Sequence, residues 1–342
     1  MKDLYLIVNE KISNKNKIFF CENKDIQSII NYLSLRFNLF IFSRYSKFIN
    51  PFKINNCCKV IDSRFKKIFY FFFFNLHKEK KKILIISVTP FNFIYFLVFK
   101  FLFDCKFYLY LRSNGYEEYE SIIGKKFVWI YDYMFKYITK YSEVISCQKR
   151  LYNKSCHILY PSELSLNWKK KIKKNVFKNN LINISYIGRF KIEKGIYSLL
   201  SIFSKLPEYV RLTLVGKGDF IKKINNRIKI INFINSESKL INLYDSSNII
   251  ILPSYTEAHP KVIDEALARM RPVIVFNDIK HVIKNRYGVF SVQRDAQKLI
   301  QLINFIKKNN HSLYPKFKKN KLPQKQKFLE DFNKIISSDV IK

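Results

Sequence analysis

Ile249-Ile250-Ile251-Leu252-Pro253-Ser254-Tyr255-Thr256-Glu257-Ala258-His259-Pro260-Lys261-Val262-Ile263-Asp264-Glu265-Ala266-Leu267-Ala268-Arg269-Met270-Arg271-Pro272-Val273-Ile274-Val275 reads as strand, loop, helix, strand. The first four residues are apolar at every position, as in a strand covered on both faces of a parallel sheet. Pro253 and Ser254 end it. Pro260 suits the first helical position, where a missing N–H is no loss, and Val262, Ile263, Ala266 and Leu267 form the buried stripe of a helix over 261–270. The segment 272–276 is the next strand. Two carboxylates stand in this unit, Glu257 in the loop before the helix and Glu265 one turn inside it. The first amides of the helix, on Lys261 and Val262, can point at an anion. Glu265 is placed to accept hydrogen bonds from a vicinal diol such as a ribose, and Glu257 faces the other end of such a ligand. Taken singly, a loop acid and a solvated helix acid are equally good readings.

The same alternation runs outward in both directions. Upstream in the second half come strand 182–187, helix 195–205, strand 211–215, helix 220–226, strand 229–233, helix 238–245 and strand 248–252. A helix over 295–308 follows downstream. The first half reads as strand 4–8, helix 25–36, strand 39–43, helix 64–74, strand 83–88, helix 91–103, strand 107–111, helix 126–140 and short strands at 143–146 and 157–160. Buried apolar strands separated by helices predict parallel sheets covered on both faces. The join falls in 161–168 and the lysine run 169–174, which also reads as a solvated linker or helix face. The polar stretch 311–324 leads to a last amphipathic helix over 328–336. The expected organisation is therefore two doubly wound domains, 1–165 and 176–312, then a tail and helix over 313–342.

The chain has 342 residues, 48% of them hydrophobic and 17% aromatic, enough to bury two cores. Five of its seven glycines lie from Gly188 to Gly288, so turn chemistry is concentrated in the second half. The formal charge is +36. Abundant Lys, Asn, Ile, Phe and Tyr, all with codons made of A and T, account for the lysines but not for the shortage of acids. A nucleic acid, a phosphorylated substrate or an anionic membrane are the partners such a surplus would attract, the last at about 1 kcal/mol per well-placed cation. The six cysteines form no C-x-x-C and have no His at a zinc-finger spacing, which fits reduced thiols in the cytosol. The start of the chain lacks the pattern of a signal peptide. The apolar stretch 83–103 has the length of a membrane span, but Thr89-Pro90-Phe91-Asn92 breaks it and Lys100 interrupts it, so it reads as strand and helix. The run Phe69–Phe74 reads as core, with a membrane contact as the alternative.

Around Ile187-Gly188-Arg189-Phe190-Lys191-Ile192-Glu193-Lys194-Gly195, Gly188 allows a sharp exit from a strand. Arg189 and Lys194 flank the loop that opens the next helix. A guanidinium and an ammonium beside a helix N-terminus suit a diphosphate, though in a basic chain two surface cations are the default. Val215-Gly216-Lys217-Gly218 is a tight strand-to-helix turn. It lacks the third glycine of a dinucleotide fingerprint, which disfavours a nicotinamide enzyme.

Gly188-Arg189…Glu193-Lys194-Gly195, Val215-Gly216-Lys217-Gly218, Leu240…Leu243-Tyr244…Leu252-Pro253-Ser254, Glu257…Glu265-Ala266 and Pro272-Val273-Ile274 stand in that order. As a set they resemble the donor domain of glycosyltransferase family 4, the group 1 type of retaining transferase with the GT-B fold. The agreement in order, spacing and secondary structure runs from about 182 to 290. The resemblance implies two Rossmann-like domains facing across a cleft, an arrangement that allows the C-terminal helix to return to the first domain. It implies that Gly188, Arg189 and Lys194 hold the donor diphosphate, that Lys261 and Val262 present amides to it, and that Glu265 binds the ribose. Glu257 would contact the transferred sugar, and the backbone near Phe233–Asn235, including Asn235, would meet the base. Arg189, Lys194 and Glu257 are the expected catalytic set. No metal and no cofactor are expected, in keeping with the lack of any Asp-x-Asp.

Several positions depart from the family. Ala258 and Met270 replace small residues often seen as glycine, so the helix ends without a glycine cap. Asn9-Glu10-Lys11-Ile12 stands where a glycine-rich loop is usual. After the strand at 107–111 the chain reads Arg112-Ser113-Asn114-Gly115-Tyr116-Glu117-Glu118-Tyr119 where a His is often found. Arg112, Asn114 and Glu117 are candidates for the acceptor side, with a solvated acidic loop as the alternative. The resemblance predicts a hexosyltransferase acting from a UDP- or GDP-sugar on a glycan or lipid-linked acceptor. In a bacterium that acceptor would belong to lipopolysaccharide, capsule or another surface polysaccharide. The enzyme would work peripherally at the inner face of the cytoplasmic membrane. A nucleotide-sugar epimerase of the same fold is the other enzymatic reading. A basic nucleic-acid-binding protein is disfavoured by the motif set and by the lack of a recognition module, so no nucleic acid partner is expected.

Overall fold

The structure is a computed structural model that describes residues 1–63, 80–174, 177, 181–218 and 226–338. The chain divides into two compact units, Met1–Pro161 with Lys325–Lys342, and Ser162–Gln324.

The first unit is built on parallel strands β1 (Asp3–Lys15), β3 (Asn38–Tyr45), β5 (Lys59–Asp62), β6 (Lys81–Ile86), β7 (Cys105–Leu111), β8 (Ser142–Ser146) and β9 (His157–Ile158). Their spatial order is β5-β3-β1-β6-β7-β8-β9, a doubly wound sheet whose order reverses between β1 and β6. The span-length stretch resolves into β6 and the helix α2 (Pro90–Leu102), after α1 (Lys24–Leu33). Thr89 accepts from the Asn92 amide at 3.2 Å, and Pro90 stands at the start of the helix. The buried Asn92 side chain donates to the Ile86 and Ser87 carbonyls at 2.7 and 2.8 Å, so the break in the apolar run is a helix start. Among the described residues no helix is long and apolar enough to cross a membrane.

Two features of this unit differ from the reading of the sequence. β1 does not stop at Val8 but runs to Lys15 and turns back antiparallel into β2 (Ile18–Cys21), which pairs with β4 (Phe52–Lys53). Asn16 and Lys17 take the turn with φ 51° and 64°, without the glycine that would have announced a hairpin. Residues 115–123, expected to be a loop, form the helix α3 (Gly115–Ile123), ahead of α4 (Val128–Tyr141). The expected helix at 64–74 and the run 69–74 lie outside the described residues.

The second unit has the parallel order β12-β11-β10-β13-β14-β15. These are β10 (Ile182–Ile187), β11 (Val210–Val215), β12 (Ile228–Ile231), β13 (Ile249–Leu252), β14 (Val273–Phe276) and β15 (Val289–Val292). The fully apolar run of β13 is explained by its two faces. Ile249 and Ile251 enter a core with α5 (Ile196–Phe203) and α8 (Ala296–Phe317). Ile250 and Leu252 enter another with Tyr244 of α6 (Glu237–Ser246) and with Ile263, Ala266 and Leu267 of α7 (Lys261–Ala268). The helix expected at 220–226 falls almost entirely outside the described residues.

The unit boundaries depart from those expected. Leu164 and Trp168 are buried in the second core, so that unit begins at Ser162. The lysine run 169–174 is not a free linker. The fully buried Arg269 donates to the carbonyls of Trp168, Lys170 and Lys171, and Arg271 donates to that of Lys173. Asp245 anchors Arg269 through two hydrogen bonds of 2.9 and 2.6 Å. At the far end α8 continues to Phe317 with Pro315 inside it, where the sequence suggested a stop near 308. Residues 313–324 stay with the second unit: the Ser162 hydroxyl donates to the Pro323 carbonyl at 2.7 Å, and Asn320 bonds the Tyr287 backbone in both directions. The last helix, α9 (Lys325–Ser337), returns to the first unit, where Phe328 and Phe332 pack on Tyr110 of β7.

Candidate functional site

In the second sheet the strand order reverses between β10 and β13, and the carboxyl ends of two such strands flank the place where this class of sheet binds ligands. Gly188 and Arg189 leave β10 there, and Pro253 and Ser254 leave β13. The two loops are tied together. The Tyr255 amide donates to the Glu193 carbonyl at 3.0 Å. Gly195 takes φ +66°, and a Cβ on it would lie 1.9 Å from the Pro253 oxygen, so only glycine lets the turn ahead of α5 lie against that loop. The result is an ion pair: Lys194 Nζ stands 2.7 Å from Glu257 Oε1, with side chains only 20% and 15% exposed. Ser254 Oγ donates to the same oxygen at 2.8 Å. His281 fixes the backbone of the same glutamate, Nε2 donating to the Glu257 carbonyl at 2.7 Å.

Glu265 lies on the next helix, 9% exposed. The buried Tyr244 hydroxyl donates to its Oε2 at 2.6 Å. Burial pushes the Glu265 carboxyl above the usual range, while Tyr244 and the nearby Lys261 charge pull it back. Burial and the adjacent carboxylate push the Tyr244 hydroxyl well above its ordinary value, so it remains a donor. Between the two glutamates sits a second buried pair. His259 Nε2 is 2.9 Å from Asp264 Oδ2, and Arg286 Nη2 is 3.2 Å from Asp264 Oδ1. Burial lowers the His259 pKa against the pull of Asp264, which favours a neutral imidazole donating Nε2–H to the carboxylate. This pair ties the loop after Glu257 to the turn that carries Glu265.

Of the residues singled out in the sequence, Lys194 and Glu257 touch, and Glu265 is held by Tyr244 on the adjacent helix. Arg189 is 63% exposed, with Glu193 at 4.0 Å. The Gly188 amide pairs with the Val215 carbonyl at 2.9 Å. A Cβ on Gly216 would meet the Gly188 oxygen at 1.8 Å, so the first glycine of the G-x-G serves close packing of β10 and β11. Lys261 opens the helix, as the expected span 261–270 has it, and Pro260, with ψ 108°, is the residue before it and not its first helical position. The first-turn amides there belong to Lys261 and Val262, as expected. Asn235 lies exposed between β12 and α6. Met270 solves the missing glycine cap by taking φ 55° itself. The Arg271 amide bonds the Ala266 carbonyl and the Met270 amide bonds that of Leu267, a Schellman ending on a non-glycine residue.

Arg294 was not legible in the sequence. It donates to the Pro253 and Ser254 carbonyls at 2.7 and 3.1 Å and to Asp278 at 2.8 Å, and lies 4.0 Å from the Tyr255 ring centroid. It thus braces the loop that carries Glu257. It belongs to no motif and is brought there by β15, so only the fold reveals it.

In the first unit Arg112, Asn114 and Glu117 are engaged with neighbours. Arg112 pairs with Asp25 and stands 3.9 Å from Glu10. Burial raises the Glu10 pKa, with Arg112 opposing. Asn114 caps α3, accepting from the Tyr116 amide at 3.2 Å and donating to Glu117 at 2.7 Å. Glu117 also meets Arg150 at 2.5 Å. The reading of a solvated acidic loop is corrected: the acids occupy the first turn of a capped helix, where its dipole favours them. Among the described residues no cluster of three or more His, Cys, Asp or Glu could hold a metal ion.

Residues 168–322 match the family model of the glycosyl transferases group 1. A Methanocaldococcus jannaschii protein described as an uncharacterized glycosyltransferase is 27% identical over 58% of this chain and 53% of its own length. The chain thus spans about half the length of that curated relative. Sucrose-phosphate synthase from Thermosynechococcus elongatus superposes with TM-score 0.71 at 14% identity, covering 98% of both chains. Anabaena HepE, solved with UDP and glucose, gives 0.67 at 12% identity over 99% of this chain and 100% of its own. WaaG, a glycosyltransferase involved in lipopolysaccharide biosynthesis, gives 0.62 at 12% identity over 98% and 100%. The fold is therefore GT-B, α/β with parallel sheets.

Proposed function

We propose that this protein is a metal-independent, retaining glycosyltransferase of the hexosyl type, without a cofactor. It takes a nucleotide sugar, UDP- or GDP-linked, and transfers the sugar to a glycan or lipid-linked acceptor of a bacterial surface polysaccharide or lipopolysaccharide. The observation that carries the reading is the Lys194–Glu257 pair at the switch point, with Glu265 on the helix behind it, all inside the segment that matches the group 1 model. Lys194 and Arg189 take the donor diphosphate, Glu265 the ribose, and Glu257 the transferred sugar. The acceptor oxygen forms its bond to the anomeric carbon on the face from which the phosphate oxygen departs. The acceptor proton passes to the departing phosphate, so no protein base is required. Charge grows on that phosphate in the transition state, where Lys194 and Arg189 act most strongly. Support for a nucleotide sugar comes from the HepE likeness, and for a surface glycan from WaaG.

Thermal-shift screening against UDP, GDP and ADP selects the base, and product analysis with the matching sugar donors follows. The variant Arg189→Ala, Lys194→Ala should then lose on the order of 10²-fold or more in kcat. Unchanged turnover would overturn these assignments. Conversion of the donor to an epimer without any acceptor would make the protein an epimerase.

A further inference from the structure

We infer that the turn joining α3 to α4 in the first unit seats the protein on an anionic lipid surface. Single exposed apolar side chains are ordinary, but here five fall within twelve residues. Ile122 is 77% exposed, Ile123 50%, Phe127 46%, Trp129 67% and Tyr133 60%. Gly124 makes the corner at φ +97°, and a Cβ placed on it would meet nothing within 4 Å, so the turn projects into open space. Lys125 and Lys126 stand exposed in the same turn, and no acid occurs from 121 to 131. Glu117 and Glu118 lie in the first turn of α3, at its other end, Glu120 is the one acid of that helix near the turn, and Asp132 is occupied by Lys136 at 2.7 Å and by the Tyr116 hydroxyl at 2.9 Å.

The turn is firmly mounted. Tyr131, Met134 and Ile138 bury the inner face of α4, and Tyr116 stacks edge-on against Tyr131 at 4.8 Å. Tyr133 meets Phe93 of α2 at 6.0 Å, and the adjacent Ile94 is 60% exposed, extending the apolar surface. Aromatic rings that carry a polar edge, beside aliphatic side chains and lysines, are the composition that settles at the boundary between headgroups and acyl chains. The two lysines and the formal charge of +36 select an anionic bilayer over a neutral one. This deepens the reading of a lipid-linked acceptor, and vesicle binding is measured without turnover, so its failure leaves sugar transfer standing.

The chain contains two tryptophans, Trp129 in the turn and Trp168, 2% exposed in the second unit. Vesicles of phosphatidylcholine with phosphatidylglycerol, carrying brominated acyl chains, should bind the full chain in a salt-sensitive way and quench Trp129. Trp129→Phe should abolish the quenching, because Trp168 is shielded in its own core. The double variant Ile122→Glu, Ile123→Glu should bind these vesicles about tenfold more weakly or worse, with an unchanged thermal shift on UDP. Several outcomes would overturn the inference: no vesicle binding, binding without quenching of Trp129, or equal binding by the double variant. So would a dimer in solution that the double variant dissolves while vesicle binding persists.

Discussion

Glu265→Gln should raise stability and weaken nucleotide binding at once. The carboxyl is 9% exposed and accepts a hydrogen bond from the Tyr244 hydroxyl at 2.6 Å. An amide oxygen keeps that hydrogen bond and removes a charge that burial disfavours, a gain of about 1 kcal/mol at neutral pH. The sign follows from the raised folded-state pKa. The native state holds the proton more tightly than the unfolded chain, so this group's contribution is fully present below the ordinary value of 4.5 and is lost as pH rises through the folded pKa. Within that window the wild type should lose up to about 1.4 kcal/mol per pH unit relative to the variant. A ribose diol, by contrast, bonds a carboxylate about twice as strongly as an amide. Losing the charge should cost about 1–2 kcal/mol, or roughly 5–30-fold in Kd. Urea denaturation from pH 4 to 8 and calorimetric titration with UDP measure both. A variant less stable than wild type at pH 8, or one that binds UDP equally well, would refute the assignment of Glu265.

Met270→Gly should stabilise the second unit by about 1 kcal/mol, because φ 55° strains a side chain and not a glycine; thermal denaturation reads it, and a loss would mean that the Met270 side chain matters more than its backbone. Arg269→Met should cost roughly 3–5 kcal/mol, since it leaves Asp245 short of its main partner and uncaps three carbonyls. It should also expose 168–173 to limited proteolysis at lysine, a pattern that would be missing if the run were a free linker in the wild type.

The second unit was legible because its signals are local. An apolar strand, a Pro-Ser stop and a helical stripe with Glu265 in it follow one another in the chain, and the fold only had to bring Lys194 across to Glu257. The first half was less so. The hairpin after Val8 turns on Asn16 and Lys17, residues that take positive φ only because the paired strands hold them there. Helix α3 starts on an Asn cap and two glutamates that read equally well as a loop. Arg269 and Arg271 stand at the end of the helix expected over 261–270, yet their guanidiniums are buried by a segment a hundred residues earlier. Arg294 had no signal at all, because bracing a loop through its carbonyls demands no partner of a particular type.

The return of α9 makes the first unit discontinuous: Ser162–Gln324 is inserted before its last piece. During synthesis the inserted unit is contiguous and complete while Tyr108 and Tyr110 still await their cover. Phe328 and Phe332 then close over Tyr110, and Lys82, Lys106 and the Tyr108 hydroxyl take the carbonyls of Ile336 and Ser338. A ribosome that stops at residue 324 therefore releases a chain with a finished second unit and a first unit that lacks its last helix. The same thirteen-residue helix, supplied as a peptide, is the reagent that should seal it.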